Sequence, residues 1–117
     1  EALWQATTGQ GRDLNDDGDF IDLGEIAPTN VGWRPGSLRI IILATDASFH
    51  NSEEEEEYPG AGFTNVLTAL NETGTAVIGL DSGYTEGDLQ LVCDSTGGLL
   101  FGLASDSTGM GEAIWEG

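Results

Sequence analysis

The chain has 117 residues, about one small domain, enough for a real core but not for two. Three arginines (Arg12, Arg34, Arg39), no lysine and 21 acidic residues give a formal charge of −18, which excludes nucleic acid and anionic membrane surfaces and favours cations or basic surfaces as partners. The apolar residues come in ordered blocks, which excludes an acidic disordered tail, and so lysine-free a surface fits high salt or abundant calcium, where self-repulsion is screened.

Residues 1–8 read as a helix with Leu3, Trp4 and Ala6 apolar and Gly9 as its C-cap. A polar, glycine-rich insertion follows over about 10–30. Residues 38–45 then read as a strand: four consecutive apolar residues, three of them β-branched, suit a strand covered on both faces and central in a larger parallel sheet. After a loop holding Glu53 to Glu57, the residues Phe63, Val66, Leu67 and Leu70 recur at helical spacing, and Gly74 ends the helix. Residues 75–81 form the second strand, and a short helix over about 85–95 turns Leu89, Val92 and Cys93 inward. The third strand spans 99–104, and a last helix over about 109–116 presents Met110, Ala113, Ile114 and Trp115. Alternating strands and helices of these lengths predict an α/β fold with right-handed crossovers and a parallel three-stranded sheet. Such a sheet leaves an edge that something should cover, through another half-domain or by self-association.

Cys93 is expected to be a buried small hydrophobe, and one cysteine excludes a disulfide framework. No run reaches the ~20 apolar residues that span a membrane, so no membrane insertion is expected. There is no signal-peptide pattern, and a chain opening at Glu1 reads as a processed product or an excised piece. Asn71-Glu72-Thr73 matches the glycosylation sequon, a short pattern of little weight.

The densest cluster of candidate ligands is Asp13-Leu14-Asn15-Asp16-Asp17-Gly18-Asp19-Phe20-Ile21-Asp22-Leu23-Gly24-Glu25. Calcium takes six to eight oxygens, and alternate residues of a tight loop aim oxygens at one centre while a glycine permits the sharp turn. Asp13, Asn15, Asp17 and Gly18 match positions 1, 3, 5 and 6 of the EF-hand loop, with Phe20 at position 8. Gly24 stands where the pattern asks for glutamate; Glu25 comes one residue late, and Asp22 is a substitute. Poor helix formers on both flanks predict a calcium loop without EF-hand helices, with Asp13, Asn15, Asp17, Asp19, Asp22 and Glu25 as ligands. The alternative is a solvated acidic loop.

The second cluster is the strand end at Asp46. Ligands of parallel sheets bind beyond the carboxyl ends of the strands, whereas an aspartate there can also simply cap a turn. The segments Val31-Gly32-Trp33-Arg34, Leu38 through Asp46-Ala47-Ser48-Phe49-His50, and Tyr58-Pro59 resemble the A-type (I-like) domain of integrin β subunits, in the von Willebrand factor A superfamily. The likeness extends more faintly through Leu103-Ala104-Ser105-Asp106-Ser107 to the end of the chain and includes the opening helix.

This resemblance implies the C-terminal half of a Rossmann-like, three-layer A-type domain, working outside the cell in metal-dependent adhesion. It implies that Asp46 is the strand-end aspartate of an adhesion site, where magnesium or manganese takes a carboxylate from a protein partner, and that Ser105 gives a backbone carbonyl to a neighbouring calcium site. The family's Asp-x-Ser-x-Ser motif and Pro-Glu element are absent from these residues. One aspartate cannot hold magnesium octahedrally, so a working site requires the other half-domain. The other reading is a purely structural, calcium-stabilised module of a large surface or matrix protein.

No enzyme is predicted. His50 has no second histidine and forms no triad, so a packing or hydrogen-bonding role is expected, and Ser48, Ser82, Ser105 and Ser107 lack a nucleophile elbow. Trp4, Trp33 and Trp115 are expected to anchor the core, and Glu53 to Glu57 to form a solvated loop.

Overall fold

The computed structural model describes residues 1–103. The predicted helix over 109–116, and with it Met110 and Trp115, lies outside them. Three helices and three strands alternate along the chain, with the insertion between the first two: α1 (Ala2–Thr8), β1 (Arg39–Thr45), α2 (Phe63–Glu72), β2 (Thr75–Asp81), α3 (Asp88–Ser95) and β3 (Leu100–Gly102). The three strands form one parallel sheet in the order β1-β2-β3. This is a small α/β domain with flanking helices, compatible with a Rossmann-like fold. By contacts the chain divides into two compact units, one of Glu1–Ser37 with His50–Ala69, the other of Leu38–Phe49 with Leu70 onward.

In the first unit, α1 ends on Gly9 in the left-handed conformation, as its position after the last apolar residue predicts. Thr7 and Thr8 return their hydroxyls to the Leu3 and Trp4 carbonyls within the helix. Ala61, Val66, Ala69 and the polar Asn51 are buried here. Trp4 and Trp33 are half-buried rather than core anchors, and the Trp33 indole Nε1 donates to the Ala6 carbonyl at 3.2 Å. The Trp33 N–H thus finds a backbone partner while its ring stays part-exposed, the amphipathic placement usual for an indole.

The second unit is built on the sheet. Continuous parallel pairing runs from Arg39↔Thr75 to Thr45↔Asp81. β2 is the central strand, with Val77, Ile78 and Leu80 buried, and α3 packs against it through Leu89, Val92 and Cys93. Full burial of Leu89 contributes about 1.5–3 kcal/mol. The contact is close because Gly79 has no side chain: a Cβ there would stand 2.7 Å from Leu89 and 2.8 Å from the Cys93 sulfur. Burial raises the Cys93 thiol pKa, consistent with its predicted role as a small hydrophobe.

The expectation of a first strand covered on both faces is corrected within these three strands. β1 alternates between half-buried and exposed residues, and Leu38, Ile40 and Ile42 face outward. Strand order decides this: β1 has β2 on one side and, among the described residues, no strand on the other.

Candidate metal centre

The insertion is closed by an isolated antiparallel bridge. The Arg12 amide donates to the Ile26 carbonyl at 2.7 Å, and the Ile26 amide returns the bond to Arg12 at 3.1 Å. Between them the chain makes a run of Asx turns. The side-chain oxygens of Asp13, Asn15, Asp17 and Asp19 each accept the amide two residues on, at 3.2, 3.1, 3.0 and 3.2 Å. This is why alternate residues share one side of the loop: each short polar side chain folds back on its own backbone. Gly18 adopts φ +88°, the turn that a side chain would strain.

The exposed carboxylates of Asp17, Asp19 and Asp22 converge, their oxygens all within 4.8 Å of one another. A cation bonded to two oxygens at about 2.3–2.6 Å permits a separation of up to about 5 Å, so the spacing suits one ion touched by all three. The donor set is carboxylate oxygen alone, which fits a hard cation such as calcium and not a soft one. Asn15 Nδ2 donates to Asp17 Oδ2 at 3.0 Å and to Asp22 Oδ2 at 2.8 Å, easing the mutual repulsion of the acidic groups.

Besides Asn15, two more of the expected ligands make hydrogen bonds within the loop. Asp13 Oδ2 accepts the Gly18 amide at 2.9 Å, and this hydrogen bond foremost holds the Asp13 carboxyl below the usual carboxylate range. Glu25 turns both oxygens to backbone: Oε1 accepts from Leu14 at 3.0 Å and Oε2 from Asp22 at 3.1 Å. Asp13 and Glu25 therefore shape the loop, while Asp17, Asp19 and Asp22 face the centre.

Asp46 belongs to the other unit. It is exposed in the bend after β1, with no hydrogen-bond partner among the described residues, so it does not cap that turn; the amide of Ala47 turns instead to the Thr45 hydroxyl. The neighbouring carboxylates at the same end of the sheet are engaged. Asp81 accepts from the Gly83 amide at 2.7 Å and the Thr85 hydroxyl at 3.0 Å, and Asp88 from the Phe49 amide at 2.7 Å. Asp46 thus joins no second carboxylate in a metal-holding group among the described residues. Ser105 lies outside the described residues.

The acidic run is less idle than a solvated loop. Glu53 accepts both the amide (2.8 Å) and the hydroxyl (3.1 Å) of Thr64, capping the first turn of α2. His50 is exposed; its Nδ1 lies 2.7 Å from Glu55, and its ring stands tilted against Tyr58 with centroids 6.0 Å apart. The structural bonds of Glu53 and Glu25 leave no spacing signature in the sequence, because each carboxylate reaches a residue 11 positions away.

No family model, curated protein or solved structure matches the chain.

Proposed function

We propose that the chain is a calcium-stabilised, non-catalytic module of a cell-surface or extracellular protein, in which the ion held by the 13–25 loop orders the insertion rather than meeting a substrate. The observation that carries this reading is the convergence of Asp17, Asp19 and Asp22 on a loop whose backbone is already turned by Asp13, Gly18 and Glu25. Oxygen ligands without histidine, cysteine or a nearby nucleophile suit a structural hard cation. The formal charge of −18 supports a setting rich in calcium or salt, where such a surface is screened.

Calcium titration monitored by thermal unfolding tests this. Ion binding to the folded chain alone adds about 2.7 kcal/mol at a hundred times Kd, so the midpoint should rise by several degrees and saturate. The combined Asp17→Asn, Asp19→Asn, Asp22→Asn variant should show no rise. A wild-type midpoint indifferent to calcium and to chelator overturns the reading.

A second reading, metal-dependent adhesion, rests on the carboxylate of Asp46 at the carboxyl end of β1, exposed and without a hydrogen-bond partner among the described residues. Here magnesium or manganese would be held by Asp46 and by groups of the other half-domain, and would bind a carboxylate of a protein partner. Magnesium-dependent capture of a carboxylate-bearing protein surface that survives Asp46→Ala would sink it.

A further inference from the structure

Ser52 stands directly before the glutamate run, Glu53 to Glu57. Of all the serines and threonines in the chain, only Ser52 and Thr85 have a carboxylate three positions on, in Glu55 and Asp88. The structure separates the two. Thr85 is 1% exposed, and its hydroxyl donates to Asp81 at 3.0 Å. Ser52 is exposed at the start of a turn, and its hydroxyl makes no hydrogen bond among the described residues.

The turn is ordered from the residue before it. Asn51 is 3% exposed; its side-chain oxygen accepts the Glu53 amide at 3.0 Å, and its carbonyl accepts the Glu55 amide at 3.1 Å. Glu55 keeps 45% of its side chain exposed with His50 against it. A reachable hydroxyl followed by consecutive carboxylates is what a kinase with lysine or arginine along its substrate groove selects, since charge pattern sets the choice among such substrates. The formal charge of −18 steers the whole chain toward a basic groove.

We propose that Ser52 is a phosphorylation site for an acid-directed serine kinase, and that the phosphate acts on the cap of α2. In the transfer the Ser52 oxygen bonds to the γ-phosphorus of a nucleoside triphosphate, the bridging bond to the β-phosphate breaks, the diphosphate leaves, and the hydroxyl proton passes to the carboxylate base of the kinase. The product adds about 1.5–2 negative charges beside five glutamates. The next residue is Glu53, whose two oxygens hold the amide and the hydroxyl of Thr64. Like-charge repulsion draws Glu53 away from Thr64. Modification of an exposed turn is thereby felt 11 residues on, in the first turn of a helix.

The test is incubation of the full chain with casein kinase II and magnesium ATP, followed by mapping of the product by mass spectrometry. One phosphoryl group per chain is expected, on Ser52. Ser52→Ala deletes a hydroxyl without a partner among the described residues, so it should keep the wild-type circular dichroism and take up no phosphate. Ser52→Thr should still be labelled, which assigns the silence of Thr85 to its burial rather than to its side-chain type. Glu55→Gln, which removes the charge at the third position, should slow labelling by about tenfold. In the phosphorylated chain the amide signal of Thr64 should shift. A wild-type chain that takes up no phosphate overturns the proposal, as does labelling of Thr85 in place of Ser52 or a rate indifferent to Glu55→Gln. So does a Thr64 amide that stays unmoved when Ser52 carries the phosphate.

Discussion

Glu25 holds Leu14 across the acidic loop: Glu25 Oε1 accepts the Leu14 amide at 3.0 Å, while its other oxygen accepts the amide of Asp22. The residue in the place of the expected terminal calcium ligand is thus a backbone clasp. Replacing it should loosen the loop without removing a member of the acidic centre. Calorimetric titration with calcium should show a smaller loss of affinity for Glu25→Gln, which keeps one acceptor, than for Asp19→Asn. Equal losses would make Glu25 a ligand.

Acid should open the same loop through Asp13. Its folded pKa lies below the ordinary 3.8 because it accepts the Gly18 amide and others nearby. A depressed carboxyl contributes stability that is present above the unfolded pKa and is lost as pH falls through the folded value. Loop amide shifts followed by NMR, with chelator present, should hold constant from neutrality down to about pH 4 and move below it. Asp13→Asn should flatten that change.

The cap on α2 has a measurable value. Glu53→Ala removes the acceptor for both the amide and the hydroxyl of Thr64 and should cost about 0.5–2 kcal/mol, read from urea unfolding. Glu57→Ala makes a control within the same run. If the two variants behave alike, Glu53 is merely part of a charged surface.

Close packing of α3 on β2 gives a sharper result. Gly79→Ala drives a methyl into Leu89, Leu100 and the Cys93 sulfur, and should destabilise the chain by about 1–3 kcal/mol. Pairing it with Leu89→Ala, which alone should cost about 2–5 kcal/mol, should give less than the sum, since one of the three clashes is then relieved. Full additivity would show that the clash lies elsewhere.

Periodicity made α1, α2, α3 and all three strands legible to within a few residues, since burying an apolar face enforces the repeat that marks it. Edge or centre was not legible. Four apolar residues at Ile40 to Leu43 say that a strand is comfortable near a core, whereas exposure is fixed by how many neighbours it gains, and β2 took the central place. The alternate acidic residues of the insertion revealed its turns because each Asx turn is a local bond. Which carboxylates converge depends on where Glu25 folds back, a contact across the loop that the order of residues does not encode.

Arg12 and Ile26 exchange both of their backbone hydrogen bonds, so the chain leaves and rejoins the scaffold at a single rung. The two ends of the intervening segment are therefore only about 5.5 Å apart, a gap that a two-residue turn can span. Everything between them is portable: it can be excised and replaced by a short hairpin, or grafted onto a turn of another protein, without rerouting the host backbone.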